Sequence, residues 1–317
     1  MDPSPRLDAL VAPLRADVVS GAAVVASMAC EVVRRATGRI DAESVAEVRR
    51  AMAHLGVLIL DAQPAMAPLV ALVRDVLDAV EAAGEPREAL EAARSAAEAF
   101  RAGQETRSRD VAARVSALLP ADGAILTLSS SSTVRSALLH DAHLRSGRVV
   151  VLESRPMQEG HLTAAALGRA GLQVTVAVDA AAATLVPRCA AVLLGADSVG
   201  DLGVVNKLGS LAVAEAARRS GIPVLVATDE TKILPPGFPQ PLADDRPAEE
   251  VFRPQAGVKV WNRYFEAVPL EAVTSLVTER AVLAPGDVER FRTGIGVPDA
   301  VRAWADRWRA GPPDEGF

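Results

Sequence analysis

The chain has 317 residues, half of them hydrophobic and 23% charged, with a formal net charge of -6. The hydrophobic residues are mostly Ala, Val and Leu broken by charge every few positions, with no run long enough to span a bilayer, which argues against a membrane protein. An acidic chain with 3% aromatic residues has neither a basic track nor a stacking surface, which argues against direct nucleic-acid binding. The length can bury one large core or two ordinary ones, and two domains are expected. Met1 to Arg15 lacks an apolar signal core, so the expected location is cytoplasmic. Cys30 and Cys189 are too few for a disulfide framework and lie in no Cys/His cluster. Both read as buried small hydrophobes, and the sequence calls for no metal and no cofactor.

From Asp8 to about Leu119 apolar residues recur at helical spacing, as in Val24, Met28, Val32 and in Leu69, Val73, Val76, Leu77, Val80. Breaks at Gly38, Gln63-Pro64, Gly84-Glu85-Pro86 and near Gly103 predict four or five helices, a helical N-terminal domain over 1–119. After Pro120-Ala121-Asp122-Gly123 short apolar runs alternate with Ala-rich helical stretches. The runs are Ala124 to Leu128, Arg148 to Leu152, Leu172 to Ala177, Ala190 to Leu194 and Pro223 to Ala227. Such runs predict a parallel sheet covered on both faces, so 120–317 reads as a doubly wound, Rossmann-like parallel-sheet domain and the whole chain as α/β.

Ligands of such sheets bind beyond the carboxyl ends of the strands, so the residues after each run matter most. Thr127-Leu128-Ser129-Ser130-Ser131-Ser132-Thr133 joins a strand to a helix with consecutive hydroxyl residues. Backbone N–H groups at a helix start suit a phosphate, although a plain serine cap explains the same residues. Glu153-Ser154-Arg155-Pro156 and Glu159-Gly160-His161 follow the next strand; Arg155 could meet a phosphate, or only pair with Glu153 or Glu159. His161 reads as structural. Gly195-Ala196-Asp197 and the following glycine-containing loop, then Asn206-Lys207 entering a helix, supply a candidate base and a cationic phosphate contact. Thr228-Asp229-Glu230-Thr231-Lys232 could complete a polar rim or be an ordinary loop.

Gly195-Ala196-Asp197, Gly203 and Asn206-Lys207-Leu208-Gly209-Ser210 together resemble the hallmark of one family. It joins the alpha, beta and delta subunits of initiation factor two-B to methylthioribose-1-phosphate isomerase and ribose-1,5-bisphosphate isomerase. The resemblance extends to the Ile125-Leu126-Thr127 serine loop, Glu153-Ser154-Arg155-Pro156, Asn262-Arg263-Tyr264-Phe265-Glu266 and Val277-Thr278-Glu279-Arg280. It implies a helical domain, a Rossmann-like domain and a homodimer or higher assembly.

The isomerases of this family use a cysteine as acid with an aspartate as partner. The resemblance places Ser129 at the cysteine, Leu128 at a neighbouring histidine and Asp197 at the aspartate, so Asp197 and Ser129 are the catalytic candidates. A serine hydroxyl is a far poorer proton donor near neutral pH than a thiol of pKa about 8.5. The isomerases' phosphate arginines are replaced by Ser20-Gly21-Ala22 and Gln63-Pro64-Ala65, and a glutamine by Glu159. Two readings follow. One is an initiation-factor-like regulatory protein binding a phosphorylated sugar or nucleoside monophosphate through Ser130, Ser131, Ser132, Thr133, Arg155, Glu159, Asn206 and Lys207. The other is an aldose–ketose isomerase acting on a ribose 1-phosphate derivative.

Overall fold

The computed structural model describes residues 4–17, 21–140, 148–242 and 246–309. The chain divides into two compact units: Met1–Thr106, Thr231–Gln240 and Arg292–Phe317 form one, Arg107–Glu230 and Pro241–Phe291 the other. Among the described residues no helix is long and apolar enough to cross a membrane.

The first unit is helical: α1 (Ser4–Ala16), α2 (Ala22–Thr37), α3 (Val45–Ala62), α4 (Ala67–Glu81), the first part of α5 (Pro86–Leu118), and the helix Asp299–Arg309. Ser44 starts α3 by accepting the Glu47 N–H at 3.3 Å, and Val48, Met52, Leu55 and Ile59 recur on the face that it buries. They join Leu14, Val33, Leu72 and Trp304 in one core, where each fully buried aliphatic side chain contributes about 1.5–3 kcal/mol. The Trp304 indole N–H donates to Asp61 Oδ1 at 2.8 Å, satisfying its one polar atom. The expected break near Gly103 does not occur: α5 runs through it unbroken. A lone helical glycine costs only about 1 kcal/mol against alanine, and the buried stripe Ala89, Ala93, Ala97, Phe100 outweighs that.

Among the described residues the second unit carries ten strands. They are β1 (Ala124–Leu128), β2 (Arg148–Leu152), β3 (Gln173–Ala177), β4 (Ala191–Leu194), β5 (Ser198–Gly200), β6 (Gly203–Lys207), β7 (Val224–Ala227), β8 (Phe265–Val268), β9 (Ser275–Val277) and β10 (Val282–Leu283). Seven form one sheet in the order β10-β9-β7-β4-β1-β2-β3, and β5, β6 and β8 form a second. The large sheet is parallel except where β10 meets β9. Counted in sequence, its parallel strands stand in the doubly wound order 3-2-1-4-5-6. Ile125, Val149, Val151, Leu193 and Leu225 bury one face against Val111 and Val115 of α5, Val134 and Leu138 of α6 (Ser132–Leu139), and Leu167 of α7 (Gly160–Arg169).

Two expectations need correction. The sheet is not covered on both faces along its whole width: β3 is an edge strand, and Val176 on it and Val178 just after it are exposed. Nor is 195–210 a loop leading straight into a helix. Ser198–Gly200 and Gly203–Lys207 pair antiparallel with Gly200 opposite Gly203, closing a hairpin on Asp201-Leu202. Asn206 and Lys207 therefore stand on a strand, and the next helix begins at Ser210. The β-branched Val199, Val204 and Val205 favour the extended chain. Gly203 has φ +93°, and a Cβ there would lie 2.3 Å from the Val268 carbonyl oxygen, so only glycine lets β8 pair with β6.

Candidate ligand site at the carboxyl ends of the strands

In a sheet of this order the strand sequence reverses between β1 and β4, and the crevice beyond their carboxyl ends is the natural ligand position. The serine loop leaves β1 and Gly195-Ala196-Asp197 leaves β4, so the topology alone brings these two segments together. A Cβ on Gly195 would lie 2.8 Å from Ser131 Oγ and 3.8 Å from Asn206 Oδ1. The absent side chain is what allows the two loops and the end of β6 to meet.

The serine loop is pinned by its backbone. Ser129 adopts φ +64°, a left-handed conformation uncommon outside glycine, and neighbouring groups hold it there. Its N–H donates to Ser154 Oγ at 2.6 Å, and its carbonyl accepts the Thr163 hydroxyl at 2.8 Å. Ser154 is buried, and its own N–H and that of Arg155 donate to the two carboxylate oxygens of Asp179 at 2.8 and 2.7 Å. Ser131 Oγ accepts the Val134 N–H at 3.3 Å, so this serine is the helix cap of the simpler explanation. Ser130 is half-buried, Ser132 is exposed, and Thr133 is buried on the inner side of α6.

Lys207 lies at the end of β6 with its side chain 5% exposed, and its ammonium is ion-paired with Glu159. The Tyr264 ring closes over it at 4.2 Å and the Phe265 ring lies 5.6 Å away. Glu159 is thus the partner of Lys207, while the exposed Arg155 donates to the Glu250 carbonyl at 3.4 Å. Asn206 donates to Ser210 Oγ at 3.0 Å, and that hydroxyl donates to the Lys207 carbonyl at 2.6 Å. Asp197 is half-buried, and its N–H donates to the Val205 carbonyl at 2.8 Å. His161 is exposed on α7.

Several groups that build the cluster escape inspection of the strand ends. Glu250 accepts the Tyr264 hydroxyl at 2.7 Å and the Asn262 amide at 2.8 Å, fixing the long segment before β8. Burial, then the Glu250 bond, push the Tyr264 phenol up to about 12. Glu266 Oε1 accepts the Gly209 and Leu211 N–H groups at 2.7 and 2.9 Å, capping α9 (Ser210–Ser220) from the neighbouring strand. Burial raises the Glu266 pKa, and those N–H bonds oppose the rise. The positive end of α9 is therefore already matched by a carboxylate. Leu128 is buried, with Cδ1 3.5 Å from where a Gly209 Cβ would sit. Thr228 and Asp229 follow β7, and the Glu230 N–H donates to Glu279 at 3.0 Å; Thr231 and Lys232 belong to the helical unit. In that unit Gln63 Nε2 donates to the Leu14 and Asp17 carbonyls at 2.8 and 2.6 Å, tying down the end of α1. Ser20 lies outside the described residues.

Fold and cluster together define a class: a two-unit α/β protein whose polar groups gather at the switch point of a doubly wound sheet. Residues 18–285 match the model of the initiation factor 2 subunit family, and the chain belongs to that family. It is 30% identical over 290 residues to ribose 1,5-bisphosphate isomerase of Haloterrigena turkmenica, covering 85% of this chain and 88% of that protein. It is 32% identical over 172 residues to ribose 1,5-bisphosphate isomerase of Archaeoglobus fulgidus, a match that takes in 52% of this chain and 55% of that protein's length. Among solved structures it is similar to the translation initiation factor eIF-2B of Pyrococcus horikoshii, with a TM-score of 0.73 at 24% identity over 88% of this chain and 97% of the other.

Proposed function

We propose that the chain binds a phosphorylated sugar or nucleoside monophosphate at this cluster, as a regulatory protein without the isomerase activity for which its relatives are named. The observation that carries the reading is the setting of Ser129. Its N–H and carbonyl are both engaged, and among the described residues no titratable side chain bonds its hydroxyl. An unactivated serine is a weak acid for opening a sugar ring, and general acid–base groups each contribute about a hundred- to ten-thousand-fold. Binding asks for less. Ser130, Ser132 and the N–H groups opening α6, with the exposed Arg155, form the phosphate seat. Asp197, Asn206 and the Glu159–Lys207 pair supply hydroxyl contacts, while Ser131 and Thr133 shape the turn. Assembly into a homodimer or larger homo-oligomer accompanies the reading.

The second reading, an aldose–ketose isomerase, is favoured by the names of the relatives and by the retained Asp197. Two measurements decide. Ribose 5-phosphate or adenosine monophosphate should raise the melting temperature while ribose and adenosine do not; ligand at 100 times its Kd adds about 2.7 kcal/mol. No shift with any phosphorylated compound removes the binding proposal. A coupled assay with ribose 1,5-bisphosphate should stay at background, whereas turnover that vanishes in Asp197→Asn would make the protein an isomerase.

A further inference from the structure

We infer that Glu159 sets the ligand class of this site: its carboxylate takes a ligand hydroxyl and keeps a second phosphate away from Lys207, so the site selects sugar monophosphates over bisphosphates. The inference rests on the sugar-phosphate reading above and goes one step into its specificity.

Three observations carry it. First, the only charge on Lys207 is already matched, because its ammonium is ion-paired with Glu159 Oε1 in a setting where the lysine side chain is 5% exposed. Second, the other oxygen, Glu159 Oε2, is buried without a hydrogen-bond partner among the described residues. A buried carboxylate oxygen without a donor is costly, and such an atom in a ligand crevice points to a donor on the ligand. A sugar hydroxyl brings that donor. A phosphate dianion brings almost only acceptors and a like charge, in surroundings where repulsion is screened little. Third, a second carboxylate stands in the wall behind the pair. Glu250 accepts the hydroxyl of Tyr264, the ring that covers Lys207, at 2.7 Å, and the Arg246 guanidinium lies over that ring at 4.6 Å. One phosphate can use the serine loop and Arg155; the Lys207 end of the crevice is left to hydroxyls.

Calorimetric titration of wild type and Glu159→Gln with ribose 5-phosphate, ribose 1,5-bisphosphate and inorganic phosphate tests this. Wild type should bind ribose 5-phosphate more tightly than ribose 1,5-bisphosphate by about tenfold or more, which is about 1.4 kcal/mol. In Glu159→Gln, which keeps the shape and removes the charge, the preference should shrink or reverse, and inorganic phosphate should bind more tightly. Equal or tighter binding of the bisphosphate by wild type overturns the inference, as does an unchanged ratio in the variant. Should the variant fail to fold, the wild-type ratio alone decides. If no phosphorylated probe binds wild type, the phosphate-site reading falls and takes this one with it; ribose 5-phosphate binding without the preference sinks only the role of Glu159.

Discussion

Tyr264 is the only tyrosine in the chain, so its ionisation can be followed in the intact protein with no second phenol to confuse it. Its pKa is pushed from the ordinary 10.0 up to about 12 by burial first, then by the hydrogen bond to Glu250 and the charges of Glu250 and Glu159, with Arg246 opposing. The folded state thus prefers the neutral phenol. Because the folded pKa lies above the unfolded one, this contribution is whole below pH 10 and is lost as pH rises through about 12. A rise of that size corresponds to about 2.7 kcal/mol; the partly exposed ring reduces this by solvent screening to roughly 1–2 kcal/mol. Phenolate absorbance in native protein should rise at least about one pH unit later than in guanidinium-denatured protein. Glu250→Gln, which keeps an acceptor but removes the charge, should move the native midpoint back toward 10. Coincident native and denatured titrations would refute the placement of Tyr264 between Glu250 and Lys207, and with it the closed wall of the site.

Gly195→Ala should be damaging out of proportion to its size. The new Cβ would lie 2.8 Å from Ser131 Oγ, so the cap of α6 must shift, at about 0.5–2 kcal/mol, and sugar-phosphate affinity should fall about tenfold or more. Unchanged calorimetric affinity would show that the serine loop is not part of the pocket. Glu266→Ala strips the Gly209 and Leu211 N–H groups at the start of α9 of their acceptor and should lower stability by about 1–3 kcal/mol, the cost of leaving these donors unsatisfied. A change in urea midpoint worth less than a few tenths of a kcal/mol would mean that water replaces the cap.

The parts of the fold that could be read from the sequence are those where one local signal dominates. Runs such as Ile125 to Leu128, polar only at the buried Thr127, and Val149 to Leu152 are apolar because a central parallel strand is buried on both sides, and they lie where expected. Gln63-Pro64 and Gly84-Glu85-Pro86 end helices because proline and glycine act on the backbone itself. Gly103 shows the limit of that rule, since a long helix with a buried alanine stripe carries a lone glycine through. The β5–β6 hairpin was readable in principle: Val199 and Val204-Val205 flank Gly200-Asp201-Leu202-Gly203, a pattern of strand, turn and strand. The proximity of Asn206-Lys207 to a helix start masked it. What no local pattern could give is the set of distant partners. Glu159 meets Lys207 and Glu250 meets Tyr264 across stretches of chain that no local pattern links, and Glu266 meets the start of α9 because β6 and β8 pair, a pairing that depends on Gly203.

These partnerships also explain how, on the proposed reading, a family scaffold can lose catalysis and keep a ligand. The groups that hold the loops are Ser154, Thr163 and Asp179, together with the α6 cap Ser131 and the α9 cap Glu266. They act through backbone N–H and carbonyl groups, so the loop anchors do not depend on the hydroxyl of Ser129. On that reading, proton transfer would depend instead on the chemistry of single side chains at positions 128, 129 and 197. Leu128 is turned into the fold against Gly209, Ser129 carries an ordinary hydroxyl, and Asp197 alone retains an ionisable group. Replacing one acid removes a reaction at once, while removing the pocket would require undoing several hydrogen bonds that also stabilise the fold. Selection for a regulatory ligand would therefore leave a structure like this one: shared strand ends, shared loop anchors, and a Lys207 already paired with Glu159.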